Sequence, residues 1–457
     1  MTRLWLPGAR GLAAPDRKKD MRWLRWLGGL VLVLMLWVGL IATEWLPRST
    51  AEDVAIAAAL VHPPANLSGK RNAFAGFQAF AHEVPEGQRE AVAAADVAAF
   101  ELAPPGSSFV STAEGRYPAH PAVPGKEPSL CSPWDPECLS KVRDHQDEAR
   151  EWVRKLQARL AQGEALLAYD YYRYEFTPRS DSPIASFGGY FPVLLSSIAL
   201  QHIDGDSAGA FASLCRHSAS WRQLRSHTDL LIMDMLGIAL MTGATRLYAE
   251  MLAEMPVDFA APCPEVFAPL ADAELDQCAV YQFEVRAMGN TIDALGQGDL
   301  ALFGEPVPPL LKLSTGLINK RHAKALFARN LGRYCTEEQY SRIRAKSSTP
   351  LPVAGKCGAL DWPLDPVGCY VAKAVYSVEP YWQRLLDLDA RLKLLNAAIL
   401  VRGLSADAAQ AAFDARPQAM RSAEHPMSIE PDVGIVRMVP LEQTRGNPWD
   451  LPYARAP

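Results

Sequence analysis

Ile198-Ala-Leu-Gln-His-Ile-Asp-Gly-Asp-Ser-Ala-Gly-Ala-Phe-Ala-Ser-Leu214 decides the fold, because its two readings belong to different architectures. Gly205, Ser207 and Gly209 have the spacing of a nucleophilic serine on a sharp strand-to-helix turn. Such a turn needs a β-branched strand just before it. The residues here, Ile198 to Asp204, continue a helical pattern instead. A Gly-Asp-Ser between two helical runs is more simply a turn, with Asp206 or Ser207 capping the helix that follows. The stretch reads as helix, turn, helix, and the fold class it predicts is all-α.

The wording Gly205-Asp-Ser-Ala-Gly209 nevertheless resembles the nucleophile elbow of the hormone-sensitive-lipase esterases, which are α/β-hydrolases. That resemblance would make Ser207 catalytic, with His322 or His425 far enough downstream to serve as base. The same esterases carry a His-Gly-Gly-Gly oxyanion segment. This chain has only Phe187-Gly188-Gly189, eighteen residues before the serine, too close for the strands and helix that should intervene. No strand–helix alternation surrounds the motif. A serine hydrolase using Ser207 is therefore the alternative function.

Outward from this turn the helical signal spreads. Val142, Ala149, Val153, Leu156, Leu160, Gly163 and Leu167 form one stripe, which predicts a helix of about thirty residues from Leu139. Further helices are expected at 191–203, 207–217, 230–241 and 246–255, with Gly205, Gly209 and Gly243 at or near the breaks and Pro256 as a stop. The 230–241 run is apolar nearly all round, so it should be a buried central helix. Asp234 lies inside it, and an unpartnered carboxylate there would be costly, which predicts a buried arginine beside it. Later helices are expected at 274–294, 315–329, 336–344 and 380–402. Gly403 closes the last of these, and Ser405 caps a short helix ending before Pro417. That makes roughly ten helices. Met427 to Leu441 adds a strand-like segment with the look of a small hairpin.

Toward the N-terminus, residues 26–43 run eighteen positions without a charge. As a helix they cover roughly 27 Å, close to the hydrocarbon thickness of a bilayer. Trp23, Trp26 and Trp45 sit at its ends, and seven bases precede it against Asp16 and Asp20. Basic flanks stay cytoplasmic, so a signal anchor would export the 413 residues after Glu44. A cleaved signal peptide would need a shorter apolar stretch and an Ala-x-Ala-like site, which Leu40-Ile-Ala-Thr-Glu-Trp45 does not offer. Met21 would itself make a normal start for such an anchor. The expected organisation is a basic cytoplasmic N-terminus (1–25), the anchor (26–43), an Ala/Pro-rich, partly ordered stalk (44–130) with a helix at 53–61 and a strand at 74–80, and a helical periplasmic domain (131–457).

Export gives meaning to eight cysteines. Proximity suggests Cys131 with Cys138, Cys263 with Cys278 and Cys357 with Cys369, leaving Cys215 and Cys335 over; sequence alone does not choose among the pairings. No Cys-x-x-Cys occurs, so zinc ribbons and thioredoxin-like sites have no support. The exported body carries 39 Lys and Arg against 48 Asp and Glu, a net charge of −9. An acidic body is a poor partner for nucleic acid, and none is expected.

Two clusters could carry chemistry. Tyr169-Asp-Tyr-Tyr-Arg-Tyr-Glu-Phe176 could line a ligand groove, although aromatic packing at a helix end accounts for it more simply. Asp144-His-Gln-Asp-Glu148 has metal-friendly residue types, but no His-Glu-x-x-His or matching partner accompanies it, so neither metal nor cofactor is expected. The basic flank, single anchor, Arg71-Asn-Ala-Phe-Ala-Gly-Phe77 segment, Cys131/Cys138 loop and Leu-rich C-terminal helix resemble the layout of single-pass envelope proteins of proteobacteria. That resemblance implies a bacterial inner-membrane location, with the bilayer as one partner through 26–43 and another envelope protein as a second. The expected function is a non-enzymatic interaction or accessory role.

Overall fold

The structure, a computed structural model, describes residues 17–42, 51–60, 69–123, 127–187, 189–295, 319–352, 356–359, 361–365, 368–370, 378–442 and 448–455. It is mostly helical. In chain order the helices are α1 (Arg17–Ala42), α2 (Ala51–Leu60), α3 (Phe74–Gln78), α4 (Arg89–Leu102), α5 (Cys138–Asp144), α6 (Gln146–Lys155), α7 (Gln157–Leu166), α8 (Tyr190–Ile203), α9 (Ser207–Ser226) and α10 (Leu231–Glu254). They continue with α11 (Cys278–Ala294), α12 (Lys320–Gly332), α13 (Glu337–Ala345), α14 (Asp361–Leu364), α15 (Glu379–Val401) and α16 (Ala406–Asp414). A three-stranded antiparallel sheet ends the chain, β1 (Met427–Glu430), β2 (Ile435–Met438) and β3 (Trp449–Pro452), with β2 in the middle.

α10 is the centre of the body, packed against α9, α8, α5, α15 and β3. It is one continuous helix of 24 residues where two were expected. Gly243 was expected at a break and instead sits at a close approach. A methyl group there would lie 2.7 Å from the Cα of Pro133, so the loop around Cys131 and Cys138 rests directly on the helix. Gly237 does the same for α9, where a methyl would meet the Arg225 Cβ at 2.5 Å. At 24 residues α10 has the length and apolarity to cross a bilayer; its burial in the body, 78% of the apolar window, identifies it as a core helix.

The stripe from Val142 to Leu167 holds its face, with Val142, Ala149 and Leu156 fully buried, but on three short helices rather than one. His145 and Leu156 leave helical geometry, at φ −129° and −108°, and turn the chain twice around α8. α15 follows the sequence closely. Pro380 stands in its first turn, Leu385, Leu388, Leu392 and Leu395 are buried, and Gly403, at φ +74°, turns the chain out of it. The expected helix at 315–329 appears as α12, and its first positions, 315–318, lie outside the described residues.

Two expectations fail in the N-terminal third. Phe74 to Phe80 is helical, α3 followed by a 3-10 turn at Ala79–Ala81, and not a strand. Phe74, Phe77 and Phe80 recur every third residue, which gathers them on one helical face, whereas a strand would alternate them between faces. The same residues overturn the stalk: Phe74, Phe77, Phe80 and Phe100 are all within the main hydrophobic core beside Trp221, Tyr172 and Phe176. Residues 69–123 are part of the folded body.

A second hydrophobic cluster joins α2, α11 and α12 through Leu60, Val285, Ile292, Phe327 and Leu331. α11 belongs to both clusters, with Phe283 in the first and Tyr281 in the second. Four disulfides staple the whole: Cys131–Cys138, Cys215–Cys263, Cys278–Cys335 and Cys357–Cys369. The proximity rule holds for the two loops of 7 and 12 residues and fails for Cys263 and Cys278. Cys278 opens α11 and Cys335 closes the 3-10 turn after α12, with Cα atoms 4.9 Å apart, while Cys263 meets Cys215 on α9.

Candidate functional site

Ser207 is the first residue of α9, in a helix–turn–helix between α8 and α9, with no strand before it. The Asp206 carboxylate accepts the Gly209 N–H at 3.0 Å and the Gln201 side chain at 2.7 Å, which makes Asp206 the helix cap. Both histidines considered as its base are engaged elsewhere. His322 Nδ1 lies 2.9 Å from Asp365, and His425 lies between Asp387 and Ser422.

Asp234 does have its buried arginine. Arg225 Nε donates to it at 2.8 Å, Gln277 Nε2 donates to its other oxygen at 2.6 Å, and both members of the ion pair are almost wholly buried. The aromatic run from Tyr169 to Phe176 packs into the body. Tyr172 and Phe176 are 2% exposed and interlock with Phe74 and Phe77 at ring separations of 5.4–6.3 Å. Among the described residues no three of His, Cys, Asp and Glu converge in a way that would hold a metal ion.

The constellation that does come together joins α15 to the turn before β1. His425 Nε2 is 2.8 Å from Asp387 Oδ1, and His425 Nδ1 is 2.9 Å from the Ser422 hydroxyl. Asp387 is fully buried and His425 is 2% exposed, while Ser422 is half-buried between exposed Arg421 and Ala423. Asp387 also accepts the Leu441 and Glu442 N–H groups at 2.8 and 3.3 Å. Burial opposes its charge, but the hydrogen bond from His425, the nearby Arg391 and the Leu441 N–H outweigh that and hold its carboxyl below the usual range. The turn is pinned from the other side by Glu424, which accepts the N–H and hydroxyl of Ser348 at 3.1 and 2.6 Å. In the sequence His425 stood out only as a candidate base for Ser207. Asp387 carried the better signal, being one of two carboxylates in the leucine-rich face of α15.

A groove of about 420 Å³ lies elsewhere, between α5, the C-terminal end of α10 and the edge strand β3. Arg143, Arg246, Glu250, Glu254 and Asp450 line it together with Leu139, Ile435 and Pro452. Glu250 receives the Cys138 and Leu139 N–H groups at 3.1 and 2.6 Å, at the open end of α5. Burial pushes its carboxyl up to about 7, against the pull of those two donors and of Arg246. An acid raised in the folded state holds an extra proton between its unfolded value near 4.5 and about 7, so stability contributed by this group falls as pH rises across that window. Glu250→Gln is expected to flatten the stability–pH curve between about 4.5 and 7, measured by denaturant titration at each pH. An unchanged slope would remove Glu250 as its source.

Compared with protein families, curated proteins and solved structures, the chain matches none of them.

Proposed function

We propose that the chain is a single-pass inner-membrane protein of the bacterial envelope, with its body exported and engaged with another envelope component. The observation that carries the anchor is α1. From Leu30 to Leu36 its apolar side chains are exposed, with Leu30, Val33 and Leu36 at 66%, 64% and 60%, against 0% for the core leucines Leu195, Leu247, Leu388 and Leu392. It meets the body near its C-terminal end, where the Trp37 indole N–H donates to the Pro363 carbonyl at 2.6 Å, and an apolar helix left so largely uncovered suits hydrocarbon. The basic flank ahead of it supports an inside N-terminus, and four disulfides suit an oxidising compartment. The layout shared with single-pass envelope proteins of proteobacteria supports the same reading. For the engaged surface, support comes from the mixed-charge groove beside the open edge of β3.

Alkaline carbonate extraction tests the anchor. The full chain is expected in the membrane pellet. Leu34→Lys, at the middle of the span, is expected to shift it toward the soluble fraction, since a central lysine costs about 2.5–3.5 kcal/mol of insertion. A wild-type chain released by carbonate would sink the proposal. In-cell crosslinking then tests the partner: one reproducible envelope protein is expected, and its absence would remove the interaction half of the reading.

A further inference from the structure

We propose that Ser422, His425 and Asp387 form a nucleophilic serine site that hydrolyses carboxylic esters. This assignment is independent of the membrane anchor and of Ser207.

The chemistry follows from which atoms hold protons. The ionised Asp387 carboxylate can only accept, so the hydrogen bond at 2.8 Å places the imidazole proton on His425 Nε2. Nδ1 then carries a lone pair, and the Ser422 hydroxyl, 2.9 Å away, is the donor that meets it. That is the tautomer a general base needs, fixed by a buried carboxylate that is itself fixed by two backbone N–H groups. The order of ring nitrogens is reversed relative to chymotrypsin-like triads, with the serine on Nδ1 and the aspartate on Nε2. Such sites are recognised by geometry and role, and both hydrogen bonds are within range for proton transfer. Burial is graded in the same direction, from a fully buried Asp387 to a half-buried Ser422 that solvent and substrate can reach. The N–H groups of Ala423 and Glu424 follow the serine and donate to nothing among the described residues, which leaves them for an oxyanion.

In the reaction, Ser422 Oγ bonds to the ester carbonyl carbon as its proton passes to His425 Nδ1. The carbonyl π pair moves onto oxygen. When that pair returns, the carbon–alkoxy bond breaks, and the leaving alkoxide takes the proton from Nδ1. Water then attacks the acyl-serine, giving one proton to Nδ1, and the carboxylic acid departs as that proton returns to Ser422 Oγ. No oxidant, metal or further co-reactant is needed. Asp387 touches no substrate; it is a positioning residue.

The test is labelling of the full chain, purified in detergent, with a fluorescent fluorophosphonate, followed by peptide mass spectrometry. One adduct is expected at Ser422, absent from Ser422→Ala. Because the modified peptide is read from wild type, the result does not depend on any variant folding. Asp387→Asn should label roughly 100-fold slower or worse, because the amide can donate to Nε2 and stabilise the wrong tautomer, and Asp387→Glu, which keeps the acceptor, should recover part of the rate. The charged groups around the imidazole are Asp387, Arg391 at 4.0 Å from Asp387, and Glu424 in the same turn. A folded wild-type chain that forms no adduct, or forms it at Ser207 or Ser348, overturns the assignment. So does an Asp387→Asn chain that labels at the wild-type rate.

Discussion

Asp234→Ala is expected to cost about 3–5 kcal/mol of unfolding free energy, a large fraction of what holds a domain together. The reason is the arginine that would be left behind. Arg225 is 3% exposed, donates to Asp234 at 2.8 Å and to the Glu274 carbonyl at 2.7 Å, and packs against α10 where Gly237 has no side chain. Without the carboxylate its charge is buried and uncompensated, and the Gln277 amide loses its acceptor as well. Arg225→Met with Asp234→Leu removes both charges and fills similar space, so the double variant is expected within about 1 kcal/mol of wild type or above it. Denaturant unfolding of the three proteins decides the matter. A single variant that loses less than about 1 kcal/mol would mean that water reaches the pair.

This buried pair was legible because the signal was local. A carboxylate in a helix apolar on every side can persist only beside a compensating charge, and the pattern from Leu230 to Met241 sufficed to require one. Leu385 to Ile399 and the hairpin near Met427 were readable for the same reason: their periods lie within one element. What stayed hidden depended on distance. Gly243 looks like a helix break until Pro133 is seen against it. Phe74, Phe77 and Phe80 look extended among so many Ala and Pro residues; their three-residue spacing suits one helical face, and what that face packs on, Tyr172, Phe176, Phe187, Tyr190 and Trp221, lies far along the chain. The Ser422 constellation was half visible. His425 and Ser422 are three residues apart, but Asp387 arrives from another helix, and no sequence pattern links position 387 to 425. The GDSAG motif drew attention to a serine that a capping aspartate accounts for.

Two of the four disulfides were also decided at a distance, and the cross-links set the second large effect. Replacing Cys278 and Cys335 with serine is expected to destabilise the chain by about 4 kcal/mol, and replacing Cys131 and Cys138 by only about 2 kcal/mol. The difference lies in the unfolded state. A cross-link over 57 residues removes more chain conformations than one over 7, and each doubling of loop length adds about 0.6 kcal/mol. Cys215 with Cys263, over 48 residues, should rank beside the first, and Cys357 with Cys369, over 12, beside the second. The folded state adds to the ranking, because Cys278–Cys335 holds α11 against the end of α12 where Tyr281 and Tyr334 pack with ring centroids 4.6 Å apart. Reducing agent should abolish the differences among variants, since wild type then loses the same links. Denaturation of each paired-serine variant, with and without reductant, measures both. If the 7-residue loop cost more than the 57-residue one, native contacts would dominate over chain entropy; the place to look would be α10, where Pro133 rests on Gly243 and the Cys138 and Leu139 N–H groups rest on Glu250.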